Sequence, residues 1–239
     1  MLFRSGLFPD FAIKLSKNDP NFSGGELLEL KDSKAYNVSS FNSTIPTGKK
    51  NIKDIVLSQN SKIFKQMTAS GDDIFSLEIR DVYYLVRGKK NHNQKICLVY
   101  GSFFETIPAK QLIGEAFSQV LDEAGANEID EDTKNKLKEI LSKQDSFSSV
   151  RNIKKASVNL RFRVMTEVKL EANILNPTQY PAISDNTLNL VCPFYSEDEK
   201  QNLVSKMELA IGTEQMRDIK VFPIKHPLNG WFLVFQSKL

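Results

Sequence analysis

The 239-residue chain has few of the residues that mark several functional classes. Its two cysteines, Cys97 and Cys192, each lie in an apolar stretch, so we predict reduced core residues and neither a disulfide framework nor a metal site. Its two histidines, His92 and His226, are far apart in sequence, which disfavours a zinc site or a histidine-based nuclease. There is also no glycine-rich phosphate loop of the Walker type.

Long apolar runs and a strong charge imbalance are missing as well. No stretch approaches the roughly 20 apolar residues of a membrane-spanning helix, and the first residues lack the apolar core and cleavage site of a signal peptide. The 32 basic and 29 acidic residues give a net charge of +3, which permits nucleic-acid binding without indicating it. These features predict a globular cytoplasmic protein.

The charges that are present lie in clusters. Lysines gather at 49–65 and basic residues at 151–163, whereas 126–133 is acidic. Cations grouped on one face are typical of proteins that bind phosphate groups. For either cluster, an ordinary solvated face is an equally good explanation.

The apolar pattern predicts strands interspersed with helices. The strongest strand signals, 73–87 and 95–104, contain DVYYLV and KICLVY, nearly continuous apolar runs typical of central strands buried on both faces. We predict an α/β fold, with α+β as the alternative, in which helices flank a central mixed β-sheet. The other predicted strands are at 11–16, 26–31, 157–172, 188–194, 219–224 and 231–235, and the predicted helices lie within 51–67 and at 108–121, 130–142 and 196–211.

The most informative stretch is 8–34, FPDFAIKLSKNDPNFSGGELLELKDSK. Its Asp-Pro and Gly-Gly pairs predict a turn at 17–25, and the flanking segments then form a β-hairpin. Asp10 lies at the start of the first strand. Glu29 and Lys31 are two apart on the second strand, so they share one face. Two acidic groups and a lysine therefore converge at one end of the hairpin.

This trio suits metal-assisted phosphodiester hydrolysis. Magnesium prefers oxygen ligands, so Asp10 and Glu29 are candidate ligands, with the backbone carbonyl of Leu30 as a further one. The ion would polarise the scissile phosphate. Lys31 would orient the attacking water and stabilise the developing charge. Leu28 and Leu30 alternate with the pair and are predicted to point into a core.

Pro9-Asp10 followed by Glu29-Leu30-Lys31 resembles the Pro-Asp…(Asp/Glu)-X-Lys signature of the restriction-endonuclease-like nuclease superfamily. The resemblance is close over 8–34 and loose to residue 104. It implies that Asp10 and Glu29 are metal ligands and that Lys31 is the catalytic lysine. Asp19, ten residues before Glu29, is the alternative first ligand.

Within that superfamily, the tight hairpin and compact length are similar to orthodox type II restriction endonucleases. The resemblance implies a restriction-endonuclease-like core, Mg²⁺ as cofactor, and cleavage of specific double-stranded DNA to 5′-phosphate ends. It also implies a homodimer on a palindromic site, a companion DNA methyltransferase, and a bacterial or archaeal cytoplasm. Residues 1–125 would form the nuclease core and 126–239 would complete the fold for recognition or dimerisation, unless the two form one continuous domain.

Candidate DNA contacts follow the catalytic strand. The segment 36–50, YNVSSFNSTIPTGKK, offers amides, hydroxyls and lysines that suit bases and phosphates, although a polar surface loop explains it equally well. Two arginines farther along share a strand face. The candidates are Asn37, Ser39, Ser40, Asn42, Ser43, Thr44, Lys49, Lys50, Arg161 and Arg163.

Two other functions fit the same residues. The first is a repair or recombination nuclease of the same superfamily that reads DNA shape. The second is a non-catalytic α/β interaction module, in which Asp10, Glu29 and Lys31 are scattered or only paired at the surface. The proximity of the three side chains discriminates this module from the nucleases.

Overall fold

The structure is a computed structural model of the chain. It describes residues 8–16, 24–38, 40–42, 45–105, 107, 109–125, 129–142, 151–154, 159–161 and 165–239. The chain divides into two compact units: the first comprises Met1–Ser39, Gly48–Phe104 and Val168–Leu239, and the second comprises Ser40–Thr47 and Glu105–Glu167. The stretch 126–239, which we predicted to complete the fold, therefore contributes to both units.

Groups of strands and groups of helices follow one another along the described residues. The strands are β1 (Phe11–Ala12), β2 (Leu27–Ser33), β3 (Ser40–Asn42), β4 (Lys49–Asn51), β5 (Ile79–Lys90), β6 (Asn93–Tyr100), β7 (Arg151–Lys154), β8 (Asn159–Arg161), β9 (Met165–Glu167), β10 (Thr187–Phe194), β11 (Lys220–His226) and β12 (Gly230–Lys238). The helices are α1 (Ile52–Ile55), α2 (Lys62–Ala69), α3 (Ala109–Glu123), α4 (Glu131–Ser142), α5 (Glu197–Ile211) and α6 (Thr213–Met216). None of them is long and apolar enough to span a membrane.

A large mixed sheet organises the first unit. Its strand order is β1-β2-β5-β6-β10-β12-β11, and β4 pairs with β5 as an additional strand. β2 runs parallel to β5, and β6 runs parallel to β10, whereas the other neighbours are antiparallel. The predicted mixed sheet with helices in an α/β fold is confirmed at this level.

The second unit is smaller, and its described residues form two strand pairs and two helices. β3 pairs with β9, and β7 pairs with β8, all antiparallel. α3 packs against α4. The predicted strand or hairpin at 157–172 is thus β8 and β9, followed by a short 3₁₀ turn at Leu170–Ala172.

One face of the large sheet forms the core of the first unit. On β5, Val82, Tyr84 and Val86 are buried on this face. The strand registers place buried residues of the neighbouring strands beside them. These neighbours are Leu27, Glu29, Cys97, Val99, Asn189, Val191, Phe232 and Val234. Both cysteines are free and buried, as predicted.

The predicted orientation of β2 is wrong. Leu28 and Leu30 were expected to point into a core, but Leu28 is half-buried and Leu30 is 36% exposed. Glu29 lies on the buried face because β5 presents Val82, Tyr84 and Val86 beside it. The alternation of β2 identified its two faces, but the neighbouring strand determines which of them is covered.

Several element boundaries also differ from the prediction. The strand expected at 11–16 is only the two residues of β1, and the strand expected from residue 73 begins at Ile79. The segment 36–50, for which a polar surface loop was an equal explanation, contains β3 and the first residues of β4. The helix α5 begins as predicted, because the Ser196 hydroxyl accepts a hydrogen bond from the Glu199 N–H at 3.2 Å.

Candidate active site

The pairing of β1 with β2 brings Asp10 beside Glu29. Phe11 lies opposite Leu28 and Ala12 lies opposite Leu27. In an antiparallel pair this register places the preceding residue, Asp10, opposite Glu29 and on the same face. The first two residues of the predicted trio therefore meet as a cross-strand pair.

Hydrogen bonds beyond β1 hold this short strand in register. The Ile13 N–H donates to the Glu26 carbonyl at 2.8 Å, and the Gly25 N–H donates to the Ile13 carbonyl at 3.1 Å. Gly25 has φ of +91°, a conformation that favours glycine. The chain therefore enters β2 through a turn that only glycine adopts at low cost.

A buried ion pair fixes the residues that follow β1. Arg80 Nη2 lies 2.7 Å from Asp72 Oδ1, and their side chains are 0% and 2% exposed. The other oxygen of Asp72 accepts the Leu15 N–H at 3.0 Å, and the Leu15 carbonyl accepts the Asp73 N–H at 2.9 Å. The segment that carries Asp10 is thus anchored by residues far away in sequence, for which the local sequence pattern contains no signal.

Asp10 also contacts the backbone of β2. Its Oδ2 accepts a hydrogen bond from the Leu30 N–H at 2.9 Å. The N–H and C=O of one strand residue point to the same side, so the Leu30 carbonyl is directed toward the edge at which Asp10 lies. The third predicted metal ligand is therefore oriented toward the carboxylate pair.

Glu29 and Lys31 form an ion pair on the buried face. Lys31 Nζ donates to Glu29 Oε1 at 2.9 Å, and the side chains are 20% and 12% exposed, respectively. The other oxygen, Glu29 Oε2, is buried and has no hydrogen-bond partner among the described residues. The pair is therefore far less solvated than an ordinary surface pair.

The pKa of Glu29 is raised above its ordinary value. Burial is the main cause, and Lys31 opposes it by stabilising the charged form. The neighbouring Asp10 raises the pKa of Glu29 further, because two negative charges repel each other and because a hydrogen bond between the two carboxyl groups needs a proton on one of them. Asp10, Glu29 and Lys31 thus form one electrostatically coupled group.

The ligand set for a cation is small. No group of three or more His, Cys, Asp or Glu side chains suited to a metal occurs in the part of the chain that the structure describes. The candidate site offers two carboxylates and one backbone carbonyl, which leaves coordination positions for water and a phosphate, as magnesium commonly has. The alternative ligand Asp19 lies outside the described residues.

The structure brings one of the predicted DNA contacts close to the trio. Lys50 Nζ lies 5.2 Å from the ring centroid of Phe8, and Phe8 is two residues from Asp10. Lys49, its neighbour on β4, is exposed and lies opposite Asp81. Asn37 is exposed and follows β2.

The other predicted contacts lie in the second unit or outside the described residues. Ser40 and Asn42 lie on β3, and Arg161 ends β8, all in the second unit. The remaining candidates, Ser39, Ser43, Thr44 and Arg163, lie outside the described residues.

Comparison with protein families, with curated proteins and with solved structures finds no significant match to this chain.

Proposed function

We propose that the protein is a Mg²⁺-dependent nuclease that hydrolyses DNA phosphodiester bonds with Asp10, Glu29 and Lys31. The observation that carries this proposal is the environment of Glu29 Oε2. This buried oxygen has no hydrogen-bond partner among the described residues, while Lys31 holds the other oxygen of the same carboxylate. The Asp10 carboxylate is a close electrostatic neighbour.

Such an arrangement is costly even with Lys31 present, unless a second cation neutralises the remaining negative charge. A buried carboxylate oxygen without a donor loses its hydration, and a second carboxylate adds repulsion. A divalent cation removes both penalties, and the residues present therefore fit Mg²⁺. When bound, Mg²⁺ supplies charge stabilisation at the phosphoryl oxygen and a more acidic water.

The protein residues divide the remaining work. The Leu30 N–H orients Asp10 by binding its Oδ2, and Lys31 orients Glu29 by binding its Oε1. Lys31 also places a cation where negative charge develops on the scissile phosphate. Lys50, held near Phe8, is positioned to contact the DNA backbone on the Asp10 side.

We place the protein specifically among the type II restriction endonucleases. The support is the Pro9-Asp10 and Glu29-Leu30-Lys31 pattern, together with the pairing of β1 with β2 that brings Asp10 beside Glu29. This proposal includes specific double-stranded DNA as substrate, a homodimer with one active site per strand, and a methyltransferase that protects the same sites.

The test is cleavage of phage DNA in Mg²⁺ and in EDTA by the wild type and Lys31→Ala. Lys53→Ala is the matched control, because Lys53 also pairs with a glutamate, Glu78, but at an exposed position. We expect discrete bands from the wild type and Lys53→Ala in Mg²⁺, and none from Lys31→Ala or in EDTA. A smear of products would support a nuclease but contradict the proposed restriction role. No cleavage of any DNA would contradict the proposal.

A further inference from the structure

The segment that leaves the candidate catalytic strand is held by one buried side chain. We call residues 34–38, which follow β2, the exit segment. The Asn173 side chain donates from Nδ2 to the Tyr36 carbonyl at 3.1 Å and accepts the Val38 N–H with Oδ1 at 3.2 Å. The same Oδ1 accepts the Leu175 N–H at 3.3 Å. Asn173 is 6% exposed, so water competes little for these bonds.

A buried lysine holds the exit segment from another side. Lys95 Nζ lies 5.0 Å from the centroid of the Tyr36 ring and 3.8 Å from Asp185 Oδ1. Lys95 is only 2% exposed. A buried ammonium group is costly, so its attraction to the ring and the carboxylate favours one arrangement of these groups.

The sheet leaves little free space beneath the exit segment. A Cβ atom at Gly88 of β5 would lie 2.6 Å from Leu175 Cδ1 and 2.9 Å from the Ala35 carbonyl oxygen. The backbone of β5 therefore packs directly against the exit segment and Leu175. With Asn173 and Lys95, this packing restrains the exit segment from three directions.

These restraints leave Asn37 exposed between two held residues. Tyr36 is held by Asn173 and Lys95, and Val38 is 4% exposed. Asn37, between them, is exposed. A side-chain amide at a fixed position is suited to paired hydrogen bonds with a base edge. Asn37 follows Lys31 by six residues, so the position of Asn37 depends on that of the candidate catalytic strand β2.

We infer that Asn173 is a positioning residue for substrate selection, which fixes the exit segment so that Asn37 meets the bases at a set place relative to the candidate catalytic strand. This inference rests on the proposed nuclease function. Releasing the exit segment would force substrate binding to restore its order, which raises KM. The chemical step depends on Asp10, Glu29 and Lys31 and would be little changed.

The test compares two buried asparagines. Asn173→Asp keeps an acceptor for the Val38 N–H but loses the donor to the Tyr36 carbonyl. Asn189→Asp is the control, because Asn189 is also buried and donates to a backbone carbonyl, that of Ile96 at 3.1 Å, away from the exit segment. Folding of both variants is verified by circular dichroism before steady-state cleavage is measured.

For Asn173→Asp we expect KM to rise about tenfold, the factor associated with one hydrogen bond, while kcat stays within about threefold of wild type. The preference for the cognate site over single-base variants should fall. Asn189→Asp should show wild-type KM and preference. Equal effects of the two variants on KM and preference would show a merely structural role and overturn the inference.

Lys95→Met provides a second, independent release of Tyr36. It removes the cation above the ring but keeps an unbranched side chain of similar length, and it decides the question if Asn173→Asp does not fold. We expect it to raise KM in the same direction. If Lys95→Met has the same KM and the same site preference as the wild type, the inference is overturned. The nuclease proposal still stands in that case, provided that the wild type cleaves DNA. If the wild-type protein cleaves no DNA, both the inference on Asn173 and the nuclease proposal are contradicted.

Discussion

At the scale of single residues, Glu29 is subject to opposing influences. Its burial and the Asp10 carboxylate favour the protonated form, whereas the ion pair with Lys31 favours the charged form. Burial dominates, so the pKa is raised. A group in this balance exchanges a proton for a cation readily, which is the behaviour expected of a metal ligand.

This balance predicts the pH dependence of stability. The folded protein binds the Glu29 proton more tightly than the unfolded chain, because the folded pKa is above the ordinary value of 4.5. Without metal, the contribution of Glu29 to the unfolding free energy is therefore largest below pH 4.5 and is lost as the pH rises through the raised pKa. Glu29→Gln should remove this dependence.

This pH dependence of the unfolding free energy is measured by chemical denaturation of the wild type and Glu29→Gln over a pH series in EDTA. The difference between the two curves isolates the contribution of Glu29 from those of the other carboxyl groups. In the wild type, Mg²⁺ should restore stability above the raised pKa. A difference curve that is flat, or that slopes in the opposite direction, would contradict this assignment.

At the scale of elements, β1 depends on contacts outside its own strand pair. It has only two residues, yet its pairing with β2 determines where the preceding residue, Asp10, lies. The buried pair of Asp72 and Arg80 secures the following residues through Leu15. This anchor joins positions 57 apart in sequence, so local periodicity contains no signal for it.

We predict that Asp72→Asn lowers the unfolding free energy by about 3 kcal/mol, because Arg80 is left buried without its carboxylate. Asparagine still accepts the Leu15 N–H, so the loss reports the ion pair. Asp32→Asn is the matched control, since Asp32 and Arg87 form an exposed pair, and its effect should be small. Urea denaturation measures both. Similar losses in the two variants would contradict the role of burial.

The elements themselves were largely predictable. The helix α3 follows from the helical spacing of its apolar residues, and β6 follows from a nearly continuous apolar run. The start of α5 follows from the capping spacing of Ser196 and Glu199. The covered face of β2 was not predictable, because both of its faces carry leucines and β5 determines which is buried. The trio was found from spacing and the turn, but its electrostatic coupling required the pairing of β1 with β2.

At the scale of the whole molecule, the second unit is formed by two separate stretches of the chain. Sequence patterns predicted its helices but not this division, because a unit assembled from distant stretches has no compositional boundary of its own. The proposed function adds a further level of organisation, since cleavage of both strands of a palindrome calls for two active sites.

We predict a homodimer that cuts both strands in one binding event. Sedimentation velocity should give a species of twice the chain mass at cleaving concentrations. Supercoiled plasmid should then be converted to linear DNA with little nicked intermediate. A monomer at every concentration, together with accumulation of nicked plasmid, would contradict the dimer and leave a nuclease that cuts one strand at a time.

The most direct test of the central claim is the Mg²⁺-dependent single-turnover cleavage rate of Glu29→Gln. Glu26→Gln is the matched control, because Glu26 also has a buried oxygen without a partner among the described residues but interacts with Tyr83, whose pKa is raised mainly by burial and further by the charge of Glu26. We predict that Glu29→Gln lowers the rate by at least about 10³-fold, a loss typical of a group that stabilises the transition state, and that Glu26→Gln retains it. Wild-type cleavage by Glu29→Gln would contradict the account.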